Sequence, residues 1–334
     1  MRIFALSRYA VSIGAAALLA ACGGSQPPIG APAMPQVSTQ LRAHSFHVLY
    51  SFAGGRDGEG PGATLIDVNG TLYGTTAAGG RLGCGYGSGC GTVYSISTTG
   101  AEKVLHRFAG GSDGWDPFAG LIDVNGTLYG TTRYGGGSGC AQSFGCGTIY
   151  TISPSGREKV LYPFGSYPNG TQPFAGLIEV EGKFYGTTDA GGAHQNGTVY
   201  SLSKTGVENV LHSFAGGADG TQPFASLTNV KGTLYGTTWG GGGSECGGSG
   251  DCGTVFSIST TAVEKVLHRF GGGSDGANPN SGLINVNGVL YGTTSPWMGC
   301  GSGGGCGTVY RISTTGKEKV LHSFGSASDG SQSL

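Results

Sequence analysis

Short runs of alternating apolar and polar residues, each closed by a Gly-containing turn, follow one another through most of the chain. None carries the spacing of an amphipathic helix. Leu121–Val124 and Thr127–Thr132 are two such runs, joined through Asn125-Gly126. Asn-Gly between apolar runs is the strongest short hairpin signal, because both turn positions need a positive φ. Thr148–Ser153 and Lys159–Phe164 are two more, joined through Pro154-Ser155-Gly156. Turns this short make neighbouring strands antiparallel, so the four runs predict a meander rather than the parallel coils of a β-helix.

The quartet repeats. Tyr-Gly-Thr-Thr begins at Tyr73, Tyr129, Tyr185, Tyr235 and Tyr291, at intervals of 56, 56, 50 and 56 residues. A second motif, Gly-Thr followed by two apolar residues, ends at Tyr94, Tyr150, Tyr200, Phe256 and Tyr310. From each of these to the next Tyr-Gly-Thr-Thr is 35 residues, so all variation in length falls in the loop between second and third strands. Four-stranded antiparallel units of this length predict an all-β fold, a β-propeller in which each unit is one blade.

The order of elements is similar to that of NHL-type propellers: a Pro, an apolar inner strand, a Gly turn, a strand with a Tyr, then two outer strands. The repeat FxGGxDGxxPxxGL…NGxLYGTT…GTVYxIS resembles the bacterial extracellular tandem-repeat family called Gloeo/Verruco, over roughly residues 46–330. That resemblance implies an extracellular propeller and no particular activity.

The fourth-strand motif occurs six times, at Val48, Val104, Val160, Val210, Val266 and Val320, against five for every other strand. Five full repeats plus one extra N-terminal strand fit either a truncated six-bladed ring or a five-bladed ring with a surplus strand. Asp329-Gly330-Ser331-Gln332 resembles Asp219-Gly220-Thr221-Gln222, where another blade begins. An open ring would expose an edge and an apolar blade face.

Composition narrows the function. Of 334 residues 70 are Gly, while 18 are Lys or Arg and 19 are Asp or Glu, for a net charge of −1. A chain this poor in cations offers no basic stripe for phosphates, which argues against nucleic acid as a partner.

Arg2 and Arg8 precede an apolar run through Ala10–Ala21, too short to span a bilayer as a helix and laid out as a secretory signal. Leu19-Ala20-Ala21-Cys22 resembles the bacterial lipobox. The resemblance implies cleavage before Cys22, acylation of Cys22, and anchoring to a membrane through that lipid. Gly23 rather than Asp after the Cys resembles the outer-membrane sorting pattern. Residues 1–21 are then a lipoprotein signal peptide, 22–43 the lipidated Cys and a Pro-rich tether, and 44–334 the propeller domain of a cell-envelope protein.

The eight remaining Cys fall into four pairs, Cys84/Cys90, Cys140/Cys146, Cys246/Cys252 and Cys300/Cys306, each six residues apart inside the variable loop. The third unit lacks both members and is six residues shorter there, as a local disulfide predicts. Two Cys per loop without a nearby His pair do not make a tetrahedral metal site.

The variable loops and the linkers between blades emerge at the same end, and that rim is where binding would be built. Asp57, Asp113, Asp219, Asp275 and Asp329 recur in the linkers, with Asn169 in one copy. They could ring a Ca²⁺ ion, but turn formation through backbone N–H groups explains them better, so no cofactor is expected. Asp67, Asp123, Glu179, Asn229 and Asn285 end the first strand and read as turn caps rather than channel lining. His106, His212, His268 and His322 share one position with Tyr50 and Tyr162, which suggests an aromatic packed between blades rather than a ligand.

Departures from the repeat carry more information. Trp115 lies in a linker, and Arg133, Tyr134, His194, Trp239 and Trp297 lie in or beside variable loops. Exposed aromatics on a polar rim suit carbohydrate or protein, whereas an aromatic covering its own Gly-rich loop is only structural. No nucleophile elbow and no phosphate-cradling Gly loop before a helix are present. The expectation is a non-enzymatic binding protein for a glycan or envelope protein, with a metal-dependent propeller hydrolase or lyase, its site at the channel mouth, as the alternative.

Overall fold

The computed structural model describes residues 47–325, apart from 86, 138–139, 141–143, 166–167, 244–251 and 296–305. The signal region, Cys22 and the tether lie outside the described residues, as do Cys246, Cys300, Trp297 and Asp329.

Asn69 at φ 54° and Gly70 at φ 82° close the first hairpin of the first repeat, and the same pair of positive angles recurs in the other four. One residue near the turn holds it: Asp67 accepts the Gly70 N–H at 2.7 Å and Asn229 accepts that of Gly232 at 2.9 Å. The residues ending the first strands are therefore turn caps.

These turns generate a meander of Ile66–Val68, Thr71–Thr76, Thr92–Ser97 and Glu102–Arg107, paired antiparallel in sequence order. The second sheet uses Ile122–Val124, Thr127–Thr132, Gly145–Ile152 and Glu158–Pro163, within a few residues of the sequence expectation. Three further sheets repeat the order, ending with Ile284–Val286, Val289–Thr294, Thr308–Ser313 and Glu318–Ser323. Among the described residues there is no α-helix; short 3-10 turns such as Gly55–Asp57 and Gly111–Asp113 occupy the linkers. The chain is an all-β propeller and its sheets are the blades.

The repeated motif serves packing. Gly74 is a glycine because a Cβ there would lie 2.6 Å from the Tyr94 hydroxyl, which fills the space beneath it. The first Thr of Tyr-Gly-Thr-Thr ties each sheet to the next: Thr75 donates to the Ala119 carbonyl at 3.0 Å and Thr131 to that of Ala175 at 3.1 Å. The second Thr stays within its sheet, Thr76 meeting Thr92 at 2.9 Å. A Phe after each outer strand stands edge-on against an aromatic of the following sheet, as Phe108 does on Tyr150 at 5.0 Å. Four apolar clusters result, each joining one sheet to its successor. Among the described residues no such cluster joins the fifth sheet to the first.

One element differs from expectation. Val48–Phe52, expected as an extra N-terminal strand, belongs to no ladder among the described residues. A fourth strand pairs with the third strand of its own sheet, and no described strand stands in that place.

Candidate functional site

Each linker pairs with the start of the variable loop that follows, in bridges such as Glu59 with Ala78, Trp115 with Tyr134 and Thr221 with Gly240. This pairing fixes the residue after Thr-Thr at the long-loop end of the sheet. It is Ala77, Arg133, Asp189, Trp239 or Ser295 in successive repeats, a variable position beside an invariant motif. Its N–H donates to the residue before the linker Pro, from Arg133 to Asp116, Asp189 to Gln172 and Trp239 to Gln222, all at 3.0 Å.

The accepting residues carry strain. Asp116, Gln172, Gln222 and Asn278 have φ of 61°, 58°, 56° and 52°. A non-Gly residue in this region costs roughly 1–2 kcal/mol, and such residues collect at functional places. Of these, Gln172 and Asn278 are buried, and Asp116 and Gln222 are half-buried.

After the linker Pro come Phe118, Phe174 and Phe224, which form a row across three sheets. Phe118 and Phe174 stack at 4.2 Å, and Phe174 meets Phe224 edge-on at 5.5 Å. Trp239 extends the row at 6.3 Å from Phe224. Phe118 remains 41 % exposed, so the row reaches solvent at that end.

Arg133 lies along this row. Its guanidinium is 5.1 Å from the centre of the Phe174 ring, 4.9 Å from that of Tyr134, and 3.9 Å from the Asp189 carboxylate of the next sheet. The Asp189 side chain is only 9 % exposed. Burial pushes its pKa up, while Arg133 and the Gln222 side chain pull against that rise. Burial likewise raises Asp116 to about 6, with Arg133 opposing. Nε of Arg133, a donor, and Oδ1 of Asp189, an acceptor, are buried without a hydrogen-bond partner, as are the hydroxyls of Tyr150, Tyr200 and Tyr310. Leaving such a group unpaired costs roughly 1–3 kcal/mol.

Sequence reasoning singled out Arg133 and Trp239 but not Asp189, Asp116 or the Phe row. The available signal was the one variable position next to Tyr-Gly-Thr-Thr. The other candidates fare differently. Trp115 is half-buried, stacked on Tyr134 at 4.5 Å, with its indole N–H directed at the Phe144 carbonyl at 3.3 Å. It covers Gly85 of the preceding loop and lines a cleft of about 570 Å³ between the first two variable loops. His194 is exposed in the short third loop. Trp297 lies outside the described residues.

Disulfides join Cys84 to Cys90 and Cys140 to Cys146, with Cα separations of 5.0 and 5.6 Å. Cys252 and Cys306 are disulfide-bonded as well, and their expected partners Cys246 and Cys300 lie outside the described residues.

The linker aspartates are turn formers. Asp113 Oδ2 accepts the Ala109 N–H at 2.7 Å, and Asp275 Oδ2 that of Gly271 at the same distance. Each also meets a histidine, His106 with Asp113 at 3.2 Å and His268 with Asp275 at 3.2 Å. Glu158 from the next sheet completes the first group, and Glu264 and Glu318 complete two more like it, so His, Asp and Glu ligand atoms gather three times. As metal centres they fit poorly. The Asp oxygens are already taken by backbone N–H and imidazole, and Tyr162 with Asn169 and Glu208 fills an equivalent place using a phenol. These groups are polar ties between sheets. Burial raises Glu158 and Glu264 to about 7, whereas in Asp113 burial is the largest single influence but is outweighed by the bond to and charge of His106, the Ala109 N–H and Glu158 together, and the pKa falls.

No curated protein sequence matches the chain. Among solved structures, a polysaccharide lyase of the ulvan lyase family PL25, bound to a GlcA–Rha3S saccharide, superposes with a TM-score of 0.51 at 12 % identity, covering 82 % of this chain and 74 % of that one. A GH43 β-1,3-galactosidase gives 0.46 at 13 % identity over 82 % and 61 %. The dipeptidyl peptidase 4 of Porphyromonas gingivalis gives 0.40 at 13 % identity over 76 % of this chain, which spans about a third (36 %) of that protein's length. These likenesses concern the fold. A family model described as the Gloeobacter/Verrucomicrobia repeat matches residues 37–249, more than half of the chain.

Proposed function

The chain belongs to the Gloeobacter/Verrucomicrobia repeat family, and from that premise we propose that it is a non-enzymatic recognition protein of the cell envelope that binds a glycan at the long-loop end of its sheets. The observation that carries this reading is the aromatic row Phe118–Phe174–Phe224, open to solvent at Phe118, with the partly exposed Arg133 side chain beside it. In this reading the C–H face of a sugar ring lies on the aromatics and its hydroxyls accept from the solvent-facing part of the guanidinium. Two disulfides agree with a secreted protein, and in this reading Cys22 carries the lipid and residues 22–43 tether the domain to the membrane.

The test is glycan-array binding with the native chain and with Phe118→Ala/Phe174→Ala. Binding that disappears in the variant supports the site; binding that persists unchanged removes it. Loss of metabolic acyl labelling in Cys22→Ser tests the anchor separately.

A hydrolase or lyase acting at the same place is the second reading, favoured by one observation. Asp116, raised to about 6 beside Arg133, has the protonation behaviour of a general acid. The polysaccharide lyase that superposes on this chain shares the fold only, so activity rests on the residues. Release of reducing or unsaturated ends from an array-positive glycan, abolished by Asp116→Asn, would replace the binding reading.

A further inference from the structure

The segment Val48–Phe52 pairs with no described strand, yet it makes the contacts of an outer strand. Phe52 stands edge-on against Tyr94 at 4.8 Å, as Phe108, Phe164, Phe214 and Phe270 stand against the aromatic of the sheet that follows each. The Leu49 carbonyl lies under Gly100, where a Cβ would approach it to 2.5 Å, and the Leu161 and Leu267 carbonyls lie under Gly206 and Gly316 at 2.7 Å. Tyr50 donates to Asp57 at 2.8 Å in the seat where His106 meets Asp113. Val48–Phe52 is thus the fourth strand of a sheet that would precede the first, without its three inner strands. Consistent with that, Val48 is 54 % and Leu49 40 % exposed, whereas Val104 and Leu105 are half-buried at the same positions.

The fifth sheet shows the matching gap. Val180 and Val230 end their inner strands at 5 % and 9 % exposure, covered by the sheet that follows; Val286, the same residue of the fifth repeat, is 47 % exposed. Ile284 beside it is 63 % exposed. The outer strand Glu318–Ser323 cannot cover the first sheet in a five-sheet ring, because Val48–Phe52 already holds that place. What both places lack is a sheet with three inner strands and no fourth.

We propose that the bare face of the fifth sheet and the free edge of Val48–Phe52 together receive three antiparallel strands of this same repeat pattern, which complete a sixth sheet. Backbone hydrogen bonds to Val48–Phe52 set the register, as strand addition does generally, and apolar side chains of the entering sheet cover Ile284 and Val286. The proposal is independent of the glycan site, which lies in sheets two to four.

The probe is a peptide of residues 219–259, which contains one linker and three inner strands, added to the full chain. Hydrogen exchange is read residue by residue. Binding should slow exchange of the Val48–Phe52 amides at least about tenfold and leave the outer strand Glu158–Pro163 unchanged. The same residues appended after Leu334 provide a form in which peptide folding and affinity do not limit the result, and should give the same protection. A mixed-sequence peptide of equal length should give none. Unprotected Val48–Phe52 amides in the appended form overturn the proposal, as does protection that the mixed sequence reproduces.

Discussion

Arg133 reaches across a sheet boundary to Asp189, its guanidinium 3.9 Å from the carboxylate while the ring of Phe174 lies 5.1 Å beneath it. The pair joins the second sheet to the third at the end where the long loops emerge. The carboxylate is the deeper partner, so its charge depends on the cation. Replacing Arg133 by Met should leave Asp189 without compensation and raise its pKa further. Lowering the pH lets Asp189 escape the penalty by taking a proton, whereas at pH 8 it must either stay charged in a buried place or hold a proton against the solution. The melting temperature of Arg133→Met should therefore fall more, relative to the native chain, at pH 8 than at pH 5. An equal loss at both values would mean that the pair does not interact.

The ties between sheets predict the pH dependence of the whole domain. Glu158 and Glu264 have folded-state values of about 7, above the ordinary carboxyl range of an unfolded chain. Between these limits the folded state binds more protons, so stability falls as pH rises. Asp113 and Asp275 are shifted the opposite way, and their contribution is lost only as pH drops below the ordinary carboxylate range. Thermal melts should accordingly give a higher midpoint at pH 5.5 than at pH 8. Glu158→Gln/Glu264→Gln should flatten that difference, and a profile that keeps its slope would assign it to other groups.

Much of the architecture was legible because it rests on local rules. Asn125-Gly126 and its counterparts specify a hairpin by backbone sterics alone, and the constant 35-residue spacing confined all variation to one loop. The linker Asp was read correctly as a turn former, but its histidine partner seven residues earlier was read as packing only. His106 in fact does both, meeting Phe108 edge-on at 4.8 Å while bonding Asp113. The candidate site was harder to see. Phe118, Phe174 and Phe224 follow the linker Pro in successive repeats, and only the relation between sheets shows them stacking on one another. Asp189 was passed over because its partner Arg133 stands a full repeat away, and position within a repeat says nothing about which neighbour a side chain leans towards.

Tyr150, Tyr200 and Tyr310 are fully buried with hydroxyls that find no hydrogen-bond partner, and burial raises all three pKa values. The fourth repeat places Phe256 at the same position, so the hydroxyl is not needed for the packing. An unpaired buried hydroxyl is a cost of roughly 1–3 kcal/mol, offset in part by its contacts. Tyr200→Phe should be neutral or stabilising, by up to about 1 kcal/mol in urea denaturation. Destabilisation by more than that would reveal a partner for the hydroxyl.

The disulfide loops should contribute modestly. Cys84 and Cys90 close a ring of only a few residues, for which chain entropy gives about 2 kcal/mol. Cys84→Ala/Cys90→Ala should lower the unfolding free energy by about that amount or less and leave the other sheets folded. A loss of cooperative unfolding would show that the loop organises more than itself.

The exposed end of the fifth sheet predicts an asymmetry between equivalent residues. Val230 and Val286 occupy the same place in successive repeats, yet the first is 9 % and the second 47 % exposed. Val230 is part of the cluster that joins the fourth sheet to the fifth, so Val230→Lys places an ammonium among Leu283, Leu290 and Tyr310. Such a charge either costs several kcal/mol or loses its proton, and the domain should melt much earlier. Val286→Lys puts the same group in water. Its melting temperature should change little, while binding of a hydrophobic dye and aggregation on concentration should both fall, because an apolar patch has been interrupted. If Val286→Lys destabilised the chain as much as Val230→Lys, the face would already be covered, and the vacancy beside the fifth sheet would not exist.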